Sequence, residues 1–188
     1  EFVPFDTDTL PAHFTDDELN TYFTRLLQDL DCHGKRFEMY MTMNTQEKVE
    51  FIRDQEEHDK TVPSPEWIVE VFANNFDMNY LRSIQLALKT GRISWVDRFC
   101  SSGGHILLLR ELSRFSAFSQ FFHRSFEFNF SEKGEIIKAL KYIADCTLGS
   151  KKMLGFVSGI QVIIQSINRY NIDEFNEILY LLLPYVFM

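Results

Sequence analysis

Cys32-His33 and the Cys100 to His105 pair are the close Cys/His neighbours in this chain. A zinc ion wants about four such ligands, commonly delivered as two closely spaced pairs. No C-x-x-C or second ligand pair accompanies either candidate, so no metal is expected. Ser101-Ser102-Gly103-Gly104 could cradle a phosphate on backbone N–H groups. Neither this glycine pair nor Gly159 further on carries the Lys-Ser/Thr of a P-loop or dinucleotide-fold spacing. The acidic run Asp54 to Asp59 offers carboxylates, but it sits on an exposed helical pattern and reads as a solvated face. There is no nucleophile elbow and no HExxH. An enzyme fragment is therefore the least supported reading, and no cofactor is expected.

The elements that would position any site are helices. Only 8 Gly and 5 Pro argue against a turn-rich β fold. Thr15 and Glu18 form a capping box ahead of Leu19, Tyr22, Phe23, Leu26, Leu27 and Leu30, which share one helical face. Asn44 and Glu47 repeat the device before a thinner stripe of Val49, Ile52 and Phe51. Ser64 caps a third helix with Pro65 at its first position, and Trp67, Ile68, Val71 and Phe72 are expected to point inward.

An internal repeat organises the remainder. Residues 81–114 align without gaps on residues 136–169, an offset of 55. Leu81 meets Ile136, Leu88 meets Ile143, Phe99 meets Leu154, Gly104 meets Gly159 and Leu112 meets Ile167. Each copy reads as a long helix, a polar corner, a short helix, a glycine and another long helix. Armadillo-type units recur at about 40–47 residues. The Phe-rich segment 116–130, which lacks a helical period, is read as the insertion that supplies the excess, packing back on the solenoid or binding a partner. A third unit opens at Asp173. The expected fold is all-α: a small N-terminal helical subdomain over 1–62, then armadillo-like three-helix repeats over 63–188, a right-handed solenoid fragment of a longer chain. Gly104 and Gly159 are then helix corners, not phosphate loops.

Charge supports the division. Residues 1–60 carry 15 acidic and 6 basic side chains, and residues 61–188 carry 12 and 13. No basic stripe suits nucleic acid or an anionic membrane. No apolar run approaches a transmembrane span, and three cysteines without framework spacing fit a reducing, cytoplasmic setting. What remains is a binding surface. The polar corner Leu88-Lys89-Thr90-Gly91-Arg92 and its copy Ala144-Asp145-Cys146-Thr147 could form a gripping edge. Both are equally readable as helix stops, with Gly91 as the C′ residue.

SIQLALKTGRISWVDRF followed by GGHILLLREL resembles the GTPase-binding segment of diaphanous-related formins, with Ser94-Trp95-Val96 after the corner. EIIKALKYIADCTLGSKKML with GIQVIIQSI resembles the next armadillo unit, where the diaphanous inhibitory region begins. DDELNTYFTRLLQDLDCHGKRFEMYMTMNTQEKVEFI resembles the helical subdomain before the repeats, so the likeness spans about residues 16–188. It implies a non-catalytic regulatory module that binds a Rho-family GTPase in its GTP form, the GTP and Mg belonging to the partner. It also implies a grip on a C-terminal autoregulatory segment of the same protein, released by the GTPase to free actin assembly through other domains. Leu86, Lys89, Thr90, Gly91 and Arg92 match the corner facing the GTPase, and Lys48 a basic docking position. Lys141, Asp145 and Ser150 match positions lining the autoregulatory groove. The corner departs from the family's usual asparagine cluster, Asp145 replaces a groove asparagine and Ser150 an apolar residue. The resemblance implies a cytoplasmic, cytoskeleton-associated protein, recruited to membrane by the GTPase. The alternative is an armadillo-type scaffold that binds a linear peptide or helix and never meets a GTPase.

Overall fold

The structure is a computed structural model and describes residues 15–121, 127–167 and 172–186. Those residues form eleven α-helices and no strand. The chain divides into two compact units, Glu1–Thr61 and Val62–Met188.

Unit 1 holds α1 (Asp16–Asp29), α2 (Gly34–Met41) and α3 (Thr45–Thr61). The capping box forms as spacing predicts: Thr15 N–H donates to Glu18 Oε2 at 3.0 Å, and Glu18 N–H to Thr15 Oγ1 at 3.4 Å. Those bonds to the charged form hold the Glu18 carboxyl below its ordinary pKa. Asn44 and Glu47 exchange the same two bonds at the start of α3. Leu19, Phe23, Leu26 and Leu27 of α1 pack with Cys32 and Ile52 as the unit's core. Lys48 joins them, only 8% exposed, its Nζ donating to Asn20 Oδ1 at 2.8 Å beside the Phe23 ring.

Unit 2 holds α4 (Pro65–Asn74), α5 (Met78–Thr90), α6 (Ile93–Ser101), α7 (Gly104–Phe121), α8 (Glu127–Asp145), α9 (Thr147–Leu154), α10 (Val157–Gln165) and α11 (Ile172–Val186). Long helices stack as α5 on α8 on α11, short ones as α4 on α6 on α9, and α7 packs on α10. This is an armadillo-like arrangement of repeated three-helix units. The offset survives folding: α5 and α8 end 55 residues apart, while α6 and α9 begin 54 apart and α7 and α10 begin 53 apart. Leu81, Ile84, Ile136, Ile137, Leu140 and Ile143 are buried along the first of those stacks. Gln85 clamps the same joint, its Nε2 donating to the Glu135 carbonyl at 2.7 Å and to Glu135 Oε2 at 2.8 Å.

Two expectations are corrected. Trp67 does not point inward. Pro65, Ile68, Val69 and Phe72 form the buried face of α4, and Trp67 lies off it, 50% exposed and edge-on to Tyr80. The segment 116–130 is not an irregular insertion either. Helix α7 runs through Phe121 and α8 begins at Glu127, so most of the excess length is extra helical turns; residues 122–126 lie outside the described set.

The double glycine has two separate tasks. Gly103 takes φ +88°, the left-handed conformation that ends α6, and its N–H donates to the Cys100 carbonyl at 3.0 Å. Gly104 opens α7 flat against the Phe99 ring, where a Cβ would overlap the ring itself. Its repeat partner Gly159 sits under Leu109, whose Cδ1 would be 2.9 Å from an added Cβ. His105 follows, 7% exposed and edge-on to Phe156 of the next unit. Burial pushes its imidazole pKa below the ordinary value; its hydrogen bond to the Cys100 backbone opposes that shift, and the Lys152 charge adds to it.

Phe99 is 1% exposed and has nowhere to go, so Gly104→Ala should cost about 2 kcal/mol in urea unfolding followed by tryptophan fluorescence. Gly159→Ala should cost clearly less, because a leucine methyl can turn aside. His105 binds a proton more weakly folded than unfolded. Its contribution is therefore intact above an unfolded imidazole pKa of about 6.5 and lost as pH falls toward the lower folded value. Thermal unfolding across that window should show the loss, and His105→Gln should flatten it. Lys48→Glu should lower the protection of α1 amides to hydrogen exchange by the equivalent of about 2 kcal/mol, with Lys48→Met milder.

Candidate functional site

The corner between α5 and α6 is built by two helix ends. Lys89 sits in the last turn of α5, where a cation suits the carbonyl dipoles. Thr90 turns its hydroxyl back to the Leu86 carbonyl at 2.7 Å, closing the final turn. Gly91 then approaches the Ala87 carbonyl so closely that any Cβ would overlap that oxygen. Its φ is −75°, so it is not the left-handed C′ residue the pattern suggested; the close approach, not the turn, demands glycine. Arg92 is the N-cap of α6, and its carbonyl accepts from Trp95 N–H at 2.9 Å and Val96 N–H at 3.1 Å.

Beneath that rim Trp95 anchors the corner. Its ring stacks on Phe99 at a centroid distance of 5.3 Å, and its indole N–H donates to the Pro63 carbonyl at 3.0 Å. With Val96 also buried, Ser94-Trp95-Val96 fixes the corner from inside. Above it Lys89 and Thr90 are exposed, and Leu86, one turn back, is 61% exposed. Leu86, Lys89 and Thr90 thus share one wet surface on rigid backbone, an apolar side chain beside a cation and a hydroxyl. Gly91 and Arg92, half-buried, form its edge.

The equivalent corner in the next unit has different chemistry. Lys141, in the place of Leu86, pairs with Glu177 of α11 at 2.7 Å and stands 4.6 Å over the Tyr180 ring. The Glu177 bond raises the Lys141 pKa, and the bond to Asp145 raises that of the Tyr180 phenol. Lys141 and Asp145 are therefore brought together, with Glu177 and Tyr180 as partners that sequence reasoning missed. Ser150 turns inward to its own helix, its Oγ donating to the Thr147 carbonyl at 3.0 Å. Lys48 lies in unit 1 and, as described above, is sunk against Asn20 and Phe23 rather than displayed.

Cys32 is buried while His33 is exposed and bonds Asp31 at 2.9 Å. Cys100, Cys146 and Cys32 are free thiols, and burial, with the neighbouring Cys146, pushes Cys100 up to about 12, which removes thiolate reactivity. Among the described residues no cluster of His, Cys, Asp and Glu could hold a metal, and no helix is long and apolar enough to cross a membrane.

Among solved structures, the crystal structure of E. histolytica Formin1 bound to EhRho1-GTPgammaS is similar, with a TM-score of 0.70 and 12% sequence identity. The match covers 87% of this chain and 56% of that one, so the chain spans about half the length of that protein. At this identity the likeness is one of fold. No curated protein matches the sequence. The family model described as the Diaphanous GTPase-binding Domain matches residues 11–185, nearly the whole chain, and the protein belongs to that family.

Proposed function

We propose that this chain is the regulatory binding module of a formin and reads the GTP-loaded state of a Rho-family small GTPase through the α5–α6 corner. Family membership supports the partner class, and the similar E. histolytica structure holds a Rho protein with a GTP analogue. The observation that carries the site is Leu86, 61% exposed beside Lys89 and Thr90 on a corner anchored by the buried Trp95. A rigid rim with one apolar anchor and one cation suits a loop that is ordered only when γ-phosphate and Mg²⁺ are present in the GTPase. The module itself needs no cofactor and performs no catalysis. In the full protein, binding would be coupled to release of a C-terminal autoregulatory segment and so to actin assembly. Lys141 and Asp145 would lie near that segment, with Ser150 contributing little because its hydroxyl serves its own helix. The setting would be cytoplasmic and cytoskeleton-associated, with recruitment to membrane by the GTPase.

Binding of the chain to a panel of Rho-family GTPases, each loaded with GDP or GTPγS, tests the reading. At least one member should bind at least tenfold tighter in the GTPγS form. Leu86→Asp and Lys89→Glu should each weaken that complex tenfold or more without changing the circular dichroism, because both side chains are exposed. Val157→Ser, at a 70% exposed position of α10, should bind as the unaltered chain does. A folded chain that binds no member in either state would overturn the reading and leave a peptide-binding armadillo scaffold.

A further inference from the structure

Helix α2 is the weak element of unit 1. None of its residues is buried, whereas α1 buries four side chains and α3 buries Lys48 and Ile52. It is 8 residues long, well short of the roughly 12–15 an isolated helix needs even to be marginal in water. Its N-cap His33 makes no side-chain capping bond, no acidic residue occupies its first turn and no basic residue its last. Unlike α1 and α3 it therefore starts without the capping box that ties up two orphan N–H groups.

The backbone leading into it is also under constraint. Asp31 has φ +55°, the one positive-φ residue other than glycine among those described, and Gly34 has φ +57°. Gly34 adopts that conformation freely, but at Asp31 it carries a cost that contacts made by α2 must offset. Those contacts are modest. Tyr40 lies 5.1 Å from the Phe51 ring, Thr24 reaches Met41 Sδ at 3.8 Å, and Phe37, Tyr40 and Met41 are only half-buried.

One group makes α2 readable. Cys32 is 2% exposed, between the end of α1 and the start of α2, and belongs to the unit's core. Its thiol is pushed above the ordinary range by burial, so it is inert while covered.

We infer that α2 opens and recloses as a unit of its own, hinged on Asp31 and Gly34, while α1 and α3 stay folded. Opening uncovers Cys32 and the apolar sides of Phe37, Tyr40 and Met41. Unit 1 thus has a segment that opens without unfolding the α1–α3 pair. This does not depend on which partner the α5–α6 corner takes.

Two readouts on the whole chain test it. The hydrogen-bonded amides at the end of α2 should exchange at least tenfold faster than those of Phe23 to Leu27 in α1. Cys32 should react with a disulfide reagent such as DTNB at a rate nearly flat in low urea, at least tenfold faster than Cys100 or Cys146. His33→Ser supplies the missing cap and should slow both α2 exchange and Cys32 labelling about fivefold, with α1 unchanged. Tyr40→Ala removes the Phe51 contact and should accelerate both. The inference is overturned if α1 and α2 exchange at one common rate. It is equally overturned if Cys32 labelling climbs with urea as steeply as unit 1 unfolds, because opening would then be unfolding of the whole unit.

Discussion

Close approach between consecutive helices of one repeat is the constraint on which unit 2 depends. The chain must turn from α6 into α7 with the first residue of α7 lying on the Phe99 ring, and a hydrogen is the largest substituent that fits there. That contact sets how far the short helix can lie from the long one. It thereby lets Leu108, Leu109 and Leu112 reach the same core as Leu81 and Ile84. The second unit meets the same demand with Gly149 of α9, whose missing side chain leaves room for the Ile143 carbonyl of α8, while Gly159 admits Leu109 of the preceding unit. Glycine here is retained for distance. Only Gly103 and Gly34 use its freedom to adopt positive φ.

Polar clamps join successive units where the buried seam ends. Gln85 holds Glu135, Lys141 holds Glu177, and Lys152 of α9 reaches Ser101 at 3.1 Å and Asp97 at 3.4 Å on α6. Lys133 is nearly buried, its Nζ donating to the Ser166 carbonyl at the end of α10. Exposed pairs among these are individually worth about 1 kcal/mol or less. Their value is register: each fixes which turn of one helix faces which turn of the next.

Sequence periodicity made much of this legible because local rules and packing agree. The capping boxes at Thr15 and Asn44 and the cap at Ser64 act through bonds three residues apart, so they can be read from type and spacing. The 55-residue offset is readable for a related reason: Leu81/Ile136 and Leu88/Ile143 occupy equivalent buried sites in both copies. What could not be read depends on neighbours distant in sequence. Trp67 fits an inward stripe, but three partner helices select a different face of α4. Lys48 resembles a displayed cation until α1 brings Asn20 and Phe23 against it. Segment 116–130 has no apolar stripe on one side, yet most of it is helical. Glu177 and Tyr180 became visible as partners of Lys141 and Asp145 only when α11 folded onto α8.

The two corners place different chemistry on equivalent backbone. At the first corner the exposed position is Leu86, an apolar group that gains by leaving water, beside a lysine free to approach an acidic neighbour. At the second, the matching position is Lys141, whose ammonium is paired with Glu177 and stands over the Tyr180 ring. The rim at the first corner is held from beneath by Trp95, through its stack on Phe99 and its bond to the Pro63 carbonyl. The repeat thus supplies the same backbone twice. At equivalent positions Leu86 stands exposed, whereas Lys141 is engaged by Glu177 and Tyr180 of α11.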